Sequence, residues 1–322
     1  MIIQLSALQT AICDFTGGRF GRRGKRAHFG YLKGTFLATA AVGLLLPALC
    51  LGQPGIGNIV VTSASSFAAG LPPAGSIGTI FCTGLKISGS VTATSVPLPY
   101  MLAGITVKVW GFPAPLFAVA SGPGYQQINF QVPYAFGFPG SNPEIQVEQN
   151  GTQGSVTPTP ATSPGDFFRI SGTGYGIFQH GADYSLVTKD SPAKPGEMLV
   201  TYLTGVPSSL EFDVSVGQPA PDAVDEVSQI NSSGLADYYN IVVDGLPVIN
   251  QTDPTRSIPF FGLAPGLIGV YQINFAVPSD THSGDIQIKL QRNSCIPFMG
   301  QCNAPQAPWK TFQSSAVLLP VQ

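Results

Sequence analysis

The sequence predicts an all-β protein of two tandem β-sandwiches made by internal duplication, behind an N-terminal signal segment. Three observations carry that expectation. Short runs of alternating apolar and polar residues recur after residue 53, with no helical periodicity between them. Four of these runs occur twice in the same order. The 322 residues include 38 Gly and 29 Pro, which cut the alternating runs apart as turn residues do.

The chain opens on a basic segment. Arg19, Arg22, Arg23, Lys25, Arg26 and Lys33 face a single acid, Asp14, and the apolar run Phe36 to Leu51 follows. A basic region, a short apolar run and small residues near Gly52 make residues 1–52 a leader and signal peptide, and the mature form carries no membrane span. Retention of the run as an anchor is the alternative, although it is short for a spanning helix and Pro47 sits near its end.

Only 10% of the residues are charged, where an ordinary globular protein has about a quarter. After residue 52, nine basic residues remain against sixteen acidic ones. That balance excludes a nucleic-acid footprint and a long charged coiled coil. At 44% hydrophobic, the chain has enough apolar surface for a sizeable core.

The elements follow in order. Residues 53 to about 70 add an edge strand, Asn58 to Thr62. Gly75 to Gly84 (GSIGTIFCTG) matches Gly196 to Gly205 (GEMLVTYLTG) at an offset of 121. Thr106 to Gly111 (TVKVWG) matches Asn240 to Gly245 (NIVVDG) at 134. The clearest strand, Gln127 to Pro133 (QINFQVP), returns within Tyr271 to Pro278 (YQINFAVP) at 145. Ile128, Phe130 and Val132, and again Ile273, Phe275 and Val277, are the inward set. Glu144 to Val147 matches Asp285 to Ile288 at 141, and Asn150-Gly151 supplies a two-residue turn. The Pro/Thr-rich stretch Thr157 to Gly165 divides a first sandwich, 53–165, from a second, 166–322. The second carries an insertion at about 294–312 and a returning strand, Ser315 to Val321.

Within that insertion, Cys295 and Cys302 enclose six residues and form a local disulfide in an oxidising compartment. A zinc site needs more ligands than His282 adds. Cys82 sits in an apolar strand as a small hydrophobe.

Candidate chemistry is sparse. No nucleophile elbow, zinc-binding helix motif or phosphate loop is present, and no cofactor or metal ligand set emerges. A Ser-His-Asp hydrolase would have to use His180 or His282; Asp183 lies near His180 and could orient it, and a loop histidine beside a solvated Asp is the plainer reading. Asp222, Asp225 and Glu226 are the best calcium candidates but lack the alternating pattern of a calcium loop. The polar faces of the repeated strands carry Gln127, Asn129 and Gln131, and Gln272 and Asn274. They either satisfy neighbouring backbone groups or line a glycan surface, with Trp110, Tyr238, Tyr239 or Trp309 as stacking platforms. The sequons at Asn150, Asn231 and Asn250 matter only in a eukaryotic secretory route.

At Pro97 to Ala120, Tyr125 to Pro133, Gly176 to Leu186, Pro195 to Gly205 and Gly262 to Pro278, the sequence resembles the uncharacterised two-repeat, Ig-like (IPT/TIG-like) C-terminal domain of exported acidobacterial proteins. The resemblance covers nearly all of residues 70–293. It implies tandem immunoglobulin-like sandwiches outside the cytoplasm and no known reaction. The expected function is therefore a non-enzymatic structural or interaction module of the cell surface, periplasm or extracellular space. Its partners are envelope proteins or glycans. A carbohydrate-binding module is the alternative, and a secreted hydrolase the remote one.

Overall fold

The computed structural model describes residues 55–134, 143–207, 215–221, 224–225, 237–248, 257–295 and 309–322. The expected leader over 1–52 lies outside them. The described residues form an all-β protein of antiparallel sheets without a helix.

The first half contains β1 (Gly57–Ser63), β2 (Ile77–Thr83), β3 (Ser90–Thr92), β4 (Ile105–Val109), β5 (Phe112–Pro113), β6 (Leu116–Gly122), β7 (Tyr125–Gln131), β8 (Ile145–Gln149) and β9 (Thr152–Val156). One sheet runs β1-β2-β7-β6-β3, the other β5-β4-β8-β9. Between them lies a core to which the first sheet gives Ile80, Ile128 and Phe130 and the second Ile105, Val107, Ile145 and Val147. Strand parity explains the set, because residues two apart share a face. The Asn150-Gly151 turn joins β8 to β9 with φ of 50° and 83°, left-handed values that Asn and Gly tolerate best.

The second half contains β10 (Asp166–Phe167), β11 (Phe178–His180), β12 (Met198–Thr204), β13 (Val224–Asp225), β14 (Asp237–Val243), β15 (Leu246–Pro247), β16 (Phe260–Leu263), β17 (Tyr271–Ala276), β18 (Gly284–Cys295), β19 (Trp309–Gln313) and β20 (Val317–Val321). Its sheets run β10-β12-β17-β16-β13, with β11 also on β12, and β15-β14-β18-β19, with β20 also on β18. The strand order of the first half thus recurs, with β12 and β17 in the places of β2 and β7. Leu199, Leu203, Ile273 and Phe275 meet Ile241, Ile286, Ile288 and Val317 across the second core.

Both ends of the expected insertion at 294–312 are strand. β18 pairs β20 over its first part and β19 over its last, where Cys295 stands opposite Trp309. Cys302 lies outside the described residues, so the expected Cys295–Cys302 bridge does too. Cys82 is a free, buried thiol in the first core.

The halves touch directly. Ala64 and Ile77 of the first pack with Phe168, Ile177, Val200, Tyr202, Ala264 and Val270 of the second in a junction core. Ile77 N donates to Thr204 Oγ1 at 2.9 Å, and that hydroxyl donates to Gly269 O at 2.7 Å. Gly269 has φ of 68°, and a Cβ there would stand 2.8 Å from Gly75 O, so only glycine permits this approach. The Pro/Thr-rich linker is tied back to the first half, Leu71 N donating to Thr159 O at 2.9 Å.

Candidate functional site

The amides singled out on the repeated strands are occupied. Gln127 Nε2 donates to Asn129 Oδ1 at 2.8 Å, and Gln272 Nε2 to Asn274 Oδ1 at 2.9 Å. The same pair therefore recurs on β7 and β17. Asn129 Oδ1 also accepts Thr79 Oγ1 at 3.0 Å. Gln131 is 2% exposed and spans the junction: its Nε2 donates to Gly75 O at 2.9 Å, and its Oε1 accepts Gly217 N at 2.6 Å. Gln131 thus satisfies neighbouring backbone groups, and a buried amide left without them would be costly, while the Gln127–Asn129 and Gln272–Asn274 pairs bond side chain to side chain. Beside Gln131, a small cleft lies between the halves, with Tyr134, Gln218, Leu267 and Tyr271 in its walls.

His180 closes β11 opposite Leu199. Its orienting carboxylate is Glu197, not Asp183: His180 Nδ1 and Glu197 Oε1 are 2.6 Å apart. The turn from Lys194 to Glu197 sets that position, because Glu197 Oε2 accepts Lys194 N at 2.9 Å. Asp183 instead caps its own loop, accepting Ser185 Oγ at 2.7 Å and Ser185 N at 2.9 Å. Those bonds, the hydroxyl's first, hold its carboxyl below the usual range.

On the other side of the ring, Nε2 lies 3.2 Å from both Ser191 Oγ and Ser191 O. Serine, imidazole and carboxylate thus stand in the order of nucleophile, base and orienter. Sequence reading missed Ser191 and Glu197, 11 and 17 residues from His180. The carbonyl of Ser191 shares Nε2 with the hydroxyl, and an Nε2 that donates to the carbonyl is not free to accept the hydroxyl proton. The arrangement ties the end of β11 to the connection that leads to β12, and the junction cleft has no share in it.

Of the aromatic candidates, Tyr239 is buried, its hydroxyl donating to Pro207 O at 2.7 Å and its ring edge-on to Phe261. Trp110 is half-buried on the β4–β5 turn. Trp309 and Tyr238 lie in β19 and β14, opposite Cys295 and Asn293. Asp225 is in β13, while Asp222 and Glu226 fall outside the described residues, so the calcium expectation lies there. Among the described residues no group of three His, Cys, Asp or Glu side chains is placed to hold a metal, and no helix is long and apolar enough to cross a membrane.

No protein-family model matches the chain, and no curated protein matches it. Among solved structures the chain is compared with an endo-fucoidan hydrolase of glycoside hydrolase family 107 and with a variant of that enzyme. Each is 10% identical with a TM-score of 0.15, over 73% of this chain and 29% of the other. The chain therefore spans under a third of those proteins, and the likeness is too slight to carry an argument about fold or activity.

Proposed function

We propose that the chain is an exported, non-enzymatic pair of immunoglobulin-like sandwiches from an internal duplication, acting at the cell surface or outside the cell as a structural or interaction module. The single observation behind this reading is the repeated strand order in two halves joined by buried contacts. Such a frame holds its hairpins and loops at fixed separation, and loops on a rigid frame carry recognition. Cross-linking the tagged full-length protein in intact cells, followed by fractionation, is the test. Retention in the envelope with the leader removed and a protein or glycan partner attached is expected; a free cytoplasmic protein with its leader intact overturns the reading.

A secreted hydrolase has one observation in its favour, the Ser191–His180–Glu197 string. The non-enzymatic reading predicts that a fluorophosphonate probe leaves Ser191 unlabelled. Labelling that Ser191→Ala abolishes, together with turnover in an ester panel, would replace that reading with the hydrolase.

A further inference from the structure

The tight hairpins β4–β5 and β14–β15 have the same backbone and different corner residues. Both close on two residues with positive φ: Trp110 (49°) and Gly111 (80°) in one, Asp244 (49°) and Gly245 (84°) in the other. Mirror-image turns of this kind favour Asn, Asp and Gly, and a bulky side chain at positive φ is strained. The backbone gains nothing from tryptophan. Trp110 N donates to Glu144 O at 2.9 Å, and Asp244 N donates equally to Gln287 O at 2.9 Å. Strain that the fold does not require points to a contact outside the fold.

The sheet next to that corner shows what kind of contact. Trp110 follows the last residue of β4, whose outward row is Thr106 and Lys108. Lys108 lies opposite Gln146, and Gln146 opposite Ser155; all three are exposed. Two amide–carboxylate pairs are already formed there, Gln146 Nε2 with Glu144 Oε2 at 3.2 Å and Gln153 Nε2 with Glu148 Oε2 at 3.1 Å. Phe112, 49% exposed, stands opposite Val109 and so lies on that residue's side of the sheet, not on the outward face. In the second half, Asn240 and Val242 hold the places of Thr106 and Lys108, and both are buried. The exposed polar face with its aromatic corner therefore belongs to the first half.

We propose that the outward face of β4, β8 and β9, closed at one end by Trp110, binds a neutral polysaccharide. This rests on the interaction-module reading and names its partner. Fixed amides and carboxylates donate to and accept from sugar hydroxyls, while an aromatic ring covers the apolar face of a pyranose. Glu144 and Glu148 face the same solvent as the single Lys108, so a polyanionic glycan is repelled.

Sedimentation of the full-length protein with cellulose, xylan, chitin, alginate and phosphatidylcholine vesicles tests the proposal. At least one of the three neutral polysaccharides retains it and alginate does not. Trp110→Asp, which installs the residue that Asp244 shows the turn accepts, lowers retention at least tenfold without lowering the melting temperature. Gln146→Ala combined with Gln153→Ala lowers it severalfold, and Leu246→Ala on the other hairpin leaves it unchanged. The proposal is overturned if none of the three retains the protein, if Trp110→Asp still binds, or if Trp110 is needed for vesicles instead. Capture of an envelope partner in cells with no polysaccharide binding sinks this proposal alone; absence of both sinks the module reading as well.

Discussion

β2 and β12 are one strand in two settings, and they agree in location while differing in which side does the work. Inward, Gly78 stands where Leu199 does. A Cβ on Gly78 would meet the Phe130 ring at 2.8 Å, so that ring itself fills the site. In the second half Leu199 is fully buried, and Phe275 packs edge-on to Phe178 of β11 at 6.2 Å. Outward, Thr79 bonds the Asn129 amide, whereas Val200 in its place enters the junction core. The same frame thus hides one copy's outer face against the other copy. A repeated strand keeps its pairing and parity, and its two faces are free to diverge according to what covers them.

Exchanging the inward residues should have the largest effect. Leu199→Gly removes a buried side chain and loosens a central strand, and about 4–5 kcal/mol of destabilisation is expected. Gly78→Leu drives a side chain into the Phe130 ring and should cost about 3 kcal/mol. Urea unfolding with tryptophan fluorescence measures both. If either exchange is neutral, the two cores are interchangeable and the comparison fails at its centre.

The junction comes next. Gln131 has Ala276 at its place in β17, so Gln131→Ala makes the first half resemble the second. It leaves Gly217 N and Gly75 O without their partner, at a cost of about 1–3 kcal/mol. Faster proteolysis between the halves should accompany that loss. Unchanged stability and unchanged cleavage would mean that the junction core alone holds the halves together.

Cys82 separates the two cores by chemistry, since Leu203 holds its place in β12. Burial pushes its thiol up from 9.0 to about 12. The native thiol should therefore ignore a disulfide reagent at pH 8 and react only on unfolding. The unfolded thiol ionises near 9 and the folded one near 12. Its contribution to stability is whole below pH 9 and is lost as pH rises towards 12. Cys82→Ala should flatten that alkaline limb, and an unaltered limb would trace it to another group.

The frame was legible because parity and turn chemistry are local. Ile128, Phe130 and Val132 alternate inward as written, and so do Ile273, Phe275 and Val277. Asn150-Gly151 turns where two left-handed residues are needed. The amides were legible as a pattern but not in purpose. Gln131 is satisfied by Gly217, 86 residues away, and no spacing announces such a partner. Glu197 displaced Asp183 beside His180 for a related reason: Asp183 is nearer in sequence, but its short side chain is already held by Ser185. The pairing of β18 with both β19 and β20 depends on tertiary packing, and its far end at Cys295 and Trp309 falls within the stretch that the sequence marks as an insertion.

The smallest expected effect lies on the surface, at Glu144 just before β8 and Asp285 near the start of β18, which the sequence match aligns. Glu144 accepts the neighbouring Gln146 amide, whereas Asp285 accepts the Tyr175 hydroxyl at 2.7 Å and faces Lys189 Nζ at 3.3 Å. The Tyr175 hydrogen bond first, and Lys189 after it, hold the Asp285 carboxyl below its ordinary 3.8. A carboxyl lowered in the folded state stabilises above its unfolded value, and that stability goes as pH falls below about 4. The group is exposed, so solvent screens the pair and the change in melting temperature should be slight. Asp285→Asn should lose the small acid-dependent step and its response to added salt, while Glu144→Gln should not remove it. Equal responses from the two variants would mean that the acid limb is general carboxylate titration, with no share peculiar to the Tyr175–Asp285–Lys189 contact.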